Sequence, residues 1–274
     1  MSITLIGPAQ IPSLGFGTFQ LEQDTVADMV AAALSEGFRH IDTAQAYENE
    51  EQVGEGLRHA DVRRDEVFLT TKILPEHFSP EAFIAATDAS LKRLGTDYVD
   101  LLLLHWPSKD VPIAETIGAL NDLIAAGKVR HGGVSNFTMD MVNQAQEALN
   151  TPLAANQIEL HPLIDQTRMI AHLASKGVAV EAYCPLAQGK VMGNAVLREI
   201  GAAHDASPAQ IALAWILKRP MSIALPRTSN PGRLADNLRA AEIVLSAEEI
   251  ARIDALGTAK GRLVCPESLA PDWD

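Results

Sequence analysis

Cysteine is scarce in this sequence, and long hydrophobic runs are missing from it. The chain of 274 residues has only Cys184 and Cys265, too few for a disulfide framework and not spaced like a metal site. No apolar run approaches the roughly 20 residues that a membrane-spanning helix needs. No Lys or Arg precedes Arg39, so the charged start of a secretory signal is also missing. The sequence therefore predicts a cytoplasmic protein with reduced thiols.

Positive charge is in deficit, because the formal net charge is −13 at pH 7. Such a charge disfavours a general nucleic-acid or anionic-membrane surface and favours solubility. Hydrophobic residues make up 47% of the chain, which is typical of a globular protein. We therefore expect no nucleic-acid partner and no membrane partner. We also expect a small-molecule carbonyl substrate and a monomeric state.

Three well-known site motifs are incomplete or missing. Gly15 and Gly17 have the spacing of a dinucleotide-binding loop, but position 20 is Gln instead of a third glycine, so a tight strand end is the better interpretation. Residues 133–137 lack the last glycine of a Gly-x-Ser-x-Gly elbow, which disfavours a serine hydrolase. No His-Glu-x-x-His is present, and we predict no metal site.

The chain does have a regular alternation of strand and helix patterns. Short apolar runs are typical of buried strands, and the amphipathic segments between them often begin at a cap residue and end at glycine. Beyond a first strand end near Gly17, the pattern predicts strands at residues 38–41, 67–72, 98–104, 129–134, 153–158, 178–183 and 221–225. It predicts helices at residues 24–36, 49–60, 80–94, 112–126, 139–149, 166–176, 196–204, 207–218, 231–241 and one more after Ser246.

About eight strands separated by helices indicate an α/β protein with a parallel sheet. Eight such units in one chain of this length favour the closed (β/α)8 (TIM) barrel over an open doubly wound sheet. Residues 1–15 predict an N-terminal hairpin, and residues 257–274 predict an irregular C-terminal tail. No linker composition marks a boundary, so we predict one domain over residues 1–274.

Polar side chains stand at nearly every predicted strand end, and in this fold those ends form the face that carries the active site. They are Asp42, Lys72, His105, Ser135, Asn136, Gln157, Tyr183, Arg227 and Thr228. Each has an ordinary explanation on its own: Asp42 and Asn136 as turn residues, Lys72 as a solvated lysine, His105 as a core histidine. Their convergence on one face favours a site.

The residues around Asp42 suit proton transfer to an oxygen. Tyr47 follows Asp42 by five residues, and its unperturbed pKa near ~10 is too high for an efficient acid at neutral pH. A buried Lys72 ammonium would lower that pKa, Asp42 would hold Lys72 charged, and His105 would donate a hydrogen bond to a substrate carbonyl. No side chain can supply the hydride that completes such a reduction, so a nicotinamide cofactor is implied.

At these positions the sequence resembles the aldo-keto reductase family, and the matching stretches follow the family's order over nearly the whole chain. They are Gly37-x-Arg39-His40-x-Asp42-Thr43-Ala44-x-x-Tyr47-x-Asn49-Glu50-x-x-Val53-Gly54, Thr71-Lys72, Leu103-Leu104-His105-Trp106-Pro107, Gly133-Val134-Ser135-Asn136-Phe137, Asn156-Gln157-x-Glu159-x-His161-Pro162, and Pro226-Arg227-Thr228 with Arg233 and Asn237. The tail, residues 261–274, is similar to that of a bacterial branch of the family. The resemblance implies a catalytic tetrad of Asp42, Tyr47, Lys72 and His105 and the cofactor NADPH (NADP+).

The same resemblance implies roles for further residues. Those implied for cofactor binding are Thr18 and Leu186; Ser135, Asn136 and Gln157 at the nicotinamide carboxamide; Tyr183 stacked on the nicotinamide ring; Arg227, Thr228 and Arg233 at the 2′-phosphate; and Asp236 and Asn237 near the adenine. Those implied for the substrate pocket are Phe19, Leu74 and Trp106. Relatives commonly have Lys-Ser in place of Arg227-Thr228, and they often have Trp in place of Phe19 and Leu74. The latter changes predict a roomier, less aromatic pocket.

Charge supports the cofactor interpretation independently. Residues 206–241 contain five basic residues and one acidic residue, Asp236, in a protein that is −13 overall. A solvated helix face would explain part of this excess, although not Arg227 at a strand end. Ser229-Asn230-Pro231 predicts a helix start beside two arginines, which is a suitable site for a phosphate group.

We therefore predict an NADPH-dependent enzyme that reduces small aldehydes, ketones, dicarbonyls or keto-sugar acids. The alternative is a cofactor-binding regulatory subunit on the same fold, which a broken tetrad or an exposed apolar docking patch would favour. A third alternative is a barrel hydrolase, but the sequence lacks the metal cluster or the nucleophile–base pair that such an enzyme would need.

Overall fold

The computed structural model describes residues 4–274. The strands are β1 (Leu5–Ile6), β2 (Ile11–Pro12), β3 (Phe16–Gly17), β4 (His40–Asp42), β5 (Phe68–Ile73), β6 (Val99–Leu104), β7 (Val129–Ser135), β8 (Ala155–Glu159), β9 (Ala179–Tyr183) and β10 (Ser222–Ala224). The α-helices are α1 (Gln23–Glu36), α2 (Glu50–His59), α3 (Pro80–Leu94), α4 (Ile113–Ala125), α5 (Met139–Ala148), α6 (Thr167–Lys176), α7 (Ala195–Ala203), α8 (Pro208–Leu217), α9 (Leu234–Arg239) and α10 (Ala247–Asp254). Within this part of the chain, no helix is both long and apolar enough to cross a membrane.

Strands β3 to β10 form one parallel sheet of eight strands in sequence order. The sheet closes on itself where Leu14 and Ala224 form a parallel bridge. The Gly17 amide also donates to the Pro226 carbonyl at 3.1 Å, which joins the first strand to the segment after the last one. These contacts and the intervening helices confirm the predicted (β/α)8 barrel. The extent of the domain, residues 1–274, stays a prediction.

The N-terminal hairpin covers one end of the barrel. Strands β1 and β2 pair antiparallel, as the sequence predicted, and Ile11 of β2 is fully buried. Ile11 packs in an apolar cluster with inward-facing strand residues such as Leu103 and Ile223. A second and larger apolar cluster fills the space between the strands and the surrounding helices. The hairpin therefore closes the end of the barrel at which the strands begin.

Most helix boundaries fall within two residues of the predicted ones, because their end signals work as expected. Ser207 with Gln210 and Ser246 with Glu249 both form capping boxes. Gly177 ends α6 in the left-handed conformation, with φ of 70°, which glycine adopts without strain. The predicted helix at residues 231–241 is wrong as a single helix. It consists of a 3-10 turn at Pro231–Arg233, the short helix α9 and a second 3-10 turn at Ala240–Glu242.

The polar residues of the barrel interior lie where the alternation of strand side chains puts them. Gln157 is inside β8 and not at its end, because the ladder continues to the pair of Glu159 and Tyr183. Side chains two residues apart share a face, so β4 points His40 and Asp42 inward and β5 points Lys72 inward. The interior beneath the barrel mouth is therefore polar as well as buried.

Candidate active site

The Lys72 ammonium group is the centre of the site. The residue is fully buried on β5, and its Nζ donates to Asp42 Oδ1 at 2.7 Å, to the Thr43 carbonyl at 2.8 Å and to Tyr47 Oη at 3.2 Å. An ammonium group has three hydrogens, and each has a partner here. Because Tyr47 Oη accepts one of them, the phenol is left to direct its own proton elsewhere.

Asp42 ends β4 and is held from two sides. Its Oδ1 binds Lys72, and its Oδ2 accepts a hydrogen bond from Gln157 Nε2 at 2.8 Å. The Thr18 hydroxyl donates to the Asp42 backbone carbonyl at 3.1 Å. Thr18 is fully buried and therefore supports the loop that carries Asp42, while its implied cofactor contact stays a prediction.

Tyr47 lies in the 3-10 turn Gln45–Tyr47 that follows β4. Its ring packs at 4.9 Å from the Phe19 ring and edge-on at 5.9 Å from the His105 ring. Lys72 Nζ is 4.8 Å from the centre of the Tyr47 ring. These contacts hold the phenol at the end of the buried polar cluster.

The pKa values of Lys72 and Tyr47 agree only in part with the expectation from the sequence. Burial lowers the pKa of Lys72, but Asp42 and Tyr47 outweigh that effect, so the pKa rises and the ammonium stays charged. Burial raises the pKa of Tyr47, Lys72 lowers it, and Asp42 raises it again, which leaves it above the ordinary value. Lys72 therefore lowers the Tyr47 pKa, as the sequence predicted, but it does not bring it below the ordinary value, because desolvation of the phenolate is the larger effect.

His105 follows β6 and is neutral at ordinary pH. Burial and, to a smaller extent, the Lys72 charge lower its pKa from 6.5 to about 3. A neutral imidazole carries one N–H. The Nδ1 atom is buried without a partner in the described part of the chain. The tautomer with its hydrogen on Nε2 is the one that can donate to a substrate oxygen.

The residues implied for the nicotinamide carboxamide form one hydrogen-bonded group. Tyr183 Oη donates to Asn136 Oδ1 at 2.8 Å, and Asn136 Nδ2 donates to Ser135 Oγ at 3.0 Å. Ser135 Oγ donates to the backbone carbonyl of Gln157 at 2.9 Å. Asn136 holds this position with a φ of 62°, in the left-handed region that asparagine tolerates better than most residues. Leu186 lies half-buried three residues beyond Tyr183.

The basic residues implied for the 2′-phosphate are exposed. Arg227 Nη2 lies 3.5 Å from Gln20 Oε1. Arg219 and Arg239 of the same segment have carboxylate partners, Asp254 and Asp236. Among the described residues, Arg227 and Arg233 have no such ion pair.

The remaining implied cofactor residues differ in their surroundings. Thr228 is buried, and its hydroxyl bonds within its own turn to Asn230. Asn230 Oδ1 in turn accepts the Gly232 amide at 2.9 Å, so the start of the 3-10 turn is already capped. Asp236 is exposed beside Arg239, and Asn237 is buried. A phosphate at this position would therefore depend on arginine side chains more than on a helix start.

Aromatic residues surround the mouth of the barrel. Phe19 is 52% exposed and Trp106 is 6% exposed, and Leu74 lies half-buried. Trp106 meets Trp273 edge-on at 6.3 Å between ring centres. Trp273 belongs to the C-terminal tail, so the tail contributes to the rim of the candidate pocket.

The tail is fastened by a buried carboxylate that the sequence did not single out. Glu159 accepts the amide of Leu263 at 2.7 Å and that of Val264 at 2.9 Å. His161 Nε2 lies 3.0 Å from the same carboxylate. Glu159 and His161 entered the sequence interpretation only as letters of a matching motif. A charged residue type in a strand that was predicted to be buried was the available signal.

Comparison with known proteins agrees with this geometry. The profile of the Aldo/keto reductase family matches residues 13–258. The chain belongs to the aldo/keto reductase family. The methylglyoxal reductase DkgB of Yersinia pestis is 40% identical to this aldo/keto reductase over 267 residues, which are 96% of this chain and 99% of that protein.

Two further matches cover nearly the whole chain. The glycerol 2-dehydrogenase (NADP(+)) of Saccharomyces cerevisiae is 35% identical to this aldo/keto reductase over 97% of the chain and 92% of the yeast protein. A crystal structure described provisionally as a 2,5-diketo-D-gluconic acid reductase B superposes with a TM-score of 0.97 and 44% identity, covering 100% of this chain and 98% of that one. This aldo/keto reductase is therefore an oxidoreductase that acts on carbonyl groups.

Proposed function

We propose that this aldo/keto reductase is an NADPH-dependent reductase of small carbonyl compounds and that Tyr47 donates the proton. The observation that carries the proposal is the set of hydrogen bonds made by Lys72, which engages Asp42, the Thr43 carbonyl and Tyr47 Oη. A tyrosine whose oxygen already accepts from an ammonium group is oriented to give its own proton to a third group.

The protonation states of Tyr47 and Lys72 support proton transfer from Tyr47 to the substrate. A pKa above the ordinary value keeps the proton on Tyr47 at neutral pH. The Lys72 charge makes its loss easier than burial alone would allow, because the cation stabilises the phenolate that forms. Asp42 keeps Lys72 charged in the buried site.

His105 orients the carbonyl in this proposal. Its neutral ring packs edge-on against Tyr47, and an N–H on Nε2 would share the substrate oxygen with the phenol. Two donors on one oxygen fix the position of the carbonyl and stabilise the charge that develops on it. The hydride for the carbonyl carbon comes from the nicotinamide of NADPH when that cofactor is bound.

The residues present fit a phosphorylated nicotinamide cofactor. Gln157 donates both amide hydrogens within the protein, so its oxygen is left for the carboxamide beside Ser135 and Asn136. Tyr183 would cover the ring. Arg227 and Arg233 are exposed without acidic partners in the described residues, as a 2′-phosphate site requires. Thr18, Leu186, Thr228, Asp236 and Asn237 complete the proposed set.

We infer small aldehydes, dicarbonyls and keto-sugar acids as the substrate class. The named relatives include a methylglyoxal reductase and a protein described as a diketo-gluconic acid reductase. Leu74 is half-buried and stands where relatives often have a larger aromatic residue, so we expect it to leave room for the substrate beside Phe19 and Trp106.

The experiment is a spectrophotometric assay of NADPH consumption by the purified protein against methylglyoxal, simple aldehydes and keto-sugar acids, with NADH in parallel. We expect turnover of at least one class with NADPH and weaker use of NADH. Matched reactions with the Tyr47→Phe protein control for background oxidation. No consumption of either cofactor with any carbonyl would contradict the proposal and favour a binding role.

A further inference from the structure

One buried carboxyl group below the proposed site has no role in the mechanism so far. Glu181 lies in the middle of β9, whose other residues are Ala179, Val180, Ala182 and Tyr183. The side chain is fully buried. Alternation along the strand puts it on the same inward face as Tyr183. A charged residue type in a parallel strand that is buried on both faces needs a specific reason.

Glu181 is joined to Tyr47 by a continuous chain of hydrogen bonds. Gln157 Nε2 donates one hydrogen to Glu181 Oε2 at 3.0 Å and the other to Asp42 Oδ2 at 2.8 Å. Asp42 Oδ1 holds Lys72 at 2.7 Å, and Lys72 reaches Tyr47 Oη at 3.2 Å. The Gln157 amide group has two N–H hydrogens, and each has a carboxyl oxygen as its partner. These two hydrogen bonds fix the orientation of the amide.

The charges around Glu181 favour its neutral form. Burial and the Asp42 charge raise its pKa, whereas Gln157 and Lys72 lower it, and together they bring the pKa from 4.5 to about 8. The other group that faces it is His40, whose Nε2 is 3.8 Å from Glu181 Oε1. Burial lowers the pKa of His40 to about 4, so this histidine is neutral too. At neutral pH, Asp42 and Lys72 are therefore the one charged pair of this cluster.

We propose that Glu181 is a positioning residue that acts in its neutral form and holds the Gln157 amide so that one N–H stays on Asp42 and the amide oxygen faces the cofactor. This inference rests on the proposed function. Ionisation of Glu181 would put a second carboxylate beside Asp42. Its negative charge would offset part of the Lys72 charge that stabilises the Tyr47 phenolate, so proton loss from Tyr47 would become harder. The reductase would then lose activity on the alkaline side for a reason separate from Tyr47 itself.

The variants are Glu181→Gln, which keeps a neutral acceptor of similar shape, and Glu181→Leu, which removes it. Glu50→Gln is the matched control, because Glu50 is also a buried carboxylate but contacts Thr71 and Arg93 outside the polar cluster. The control separates the loss of any buried carboxylate from the loss of this one. If Glu181→Leu does not fold, Glu181→Gln alone still decides the question.

The first measurement needs no cofactor and no activity. We expect the infrared spectrum of the parent protein at pH 6 to contain a protonated carboxylic-acid band that disappears as the pH rises through about 8. The band should be absent from Glu181→Gln and present in Glu50→Gln. A parent protein without a band assignable to Glu181 would overturn the neutral form.

The second measurement is the pH dependence of NADPH binding and of kcat/KM. We expect Glu181→Leu to lose on the order of ten- to a hundredfold in kcat/KM, as small misplacements of reacting groups do, and Glu181→Gln to recover most of it. Glu181→Gln should also lack the parent's decline between pH 7 and 9 in both quantities. A parent that reduces carbonyls while both Glu181 variants keep its pH profile and NADPH affinity would overturn the inference but not the proposed function. A parent protein that has the infrared band but no reductase activity would overturn the proposed function and not the neutral form of Glu181.

Discussion

Lys72 illustrates how one side chain sets the chemistry of its neighbours. Burial alone would favour the neutral amine, yet its three hydrogen bonds to Asp42, Thr43 and Tyr47 require an ammonium group. The sequence indicated the partners because Asp42 and Lys72 follow apolar strands that end at one face. It did not indicate the net pKa of Tyr47, which depends on how completely the folded chain excludes water.

Removing the Lys72 charge gives the first prediction at the residue scale. Lys72→Met should weaken carbonyl reduction and raise the Tyr47 pKa further, because the cation that lowers it is lost. The measurement is the pH profile of kcat/KM, which reports the coupled group as a whole. An unchanged profile with unchanged turnover would count against the mechanism.

A second prediction at this scale concerns the pocket wall. Leu74→Trp should reduce kcat/KM for bulky carbonyls more than for small ones, since the larger ring would fill space beside Phe19 and Trp106. Steady-state kinetics with a size series of aldehydes measure this, and the smallest aldehyde is the internal control. Equal effects across the series would show that Leu74 does not line the pocket.

At the scale of elements, strand order was predictable and irregular segments were not. Capping boxes and glycine stops placed helices such as α8 and α10. The segment after β10 broke into two 3-10 turns and a short helix, because Asn230 and Pro231 set a tight start that local patterns do not distinguish from a regular helix. The tail was predicted only as irregular, since its attachment to Glu159 is a long-range contact.

The segment after β10 carries the cofactor prediction. Arg227→Ala or Arg233→Ala should weaken NADPH binding by about one to two powers of ten and NADH binding much less, because charge-assisted hydrogen bonds are each worth roughly 1.5–3 kcal/mol. Arg239→Ala is the matched control, since Arg239 is also exposed but already lies beside Asp236. Titration of both cofactors at two salt concentrations provides the measurement, and added salt should weaken the NADPH complex more.

The roles of the two arginines would be excluded if each variant lost NADPH and NADH affinity equally. An equal effect of Arg239→Ala would point to the general charge of the segment instead. The strand-end position of Arg227 was visible in the sequence, whereas the ion pair that neutralises Arg219 with Asp254 was not.

At the scale of the whole molecule, the buried polar interior gives the protein a specific pH response. Glu181 has a folded-state pKa of about 8 against an ordinary 4.5. Between these values the unfolded chain releases a proton that the folded chain keeps, so stability falls as pH rises through that window. His40 acts in the opposite sense below its ordinary 6.5, because its folded pKa is about 4.

We expect Glu181→Gln to flatten the decline of stability between pH 6 and 8. One proton contributes a slope of about 1.4 kcal/mol per pH unit, so the parent and variant should diverge by up to about 2 kcal/mol over this range. Denaturant unfolding of both proteins at several pH values measures the difference. Parallel curves would show that Glu181 ionises normally in the folded protein.

In the proposed mechanism, Tyr47 is held by Lys72 and donates the proton to the substrate carbonyl. Of the possible tests, the most direct is kcat of Tyr47→Phe together with the dissociation constant for NADPH. We expect a loss of turnover of about 10²–10⁴-fold, the usual contribution of general acid catalysis, with NADPH binding nearly unchanged. A near-normal kcat on every substrate that the parent reduces would contradict it.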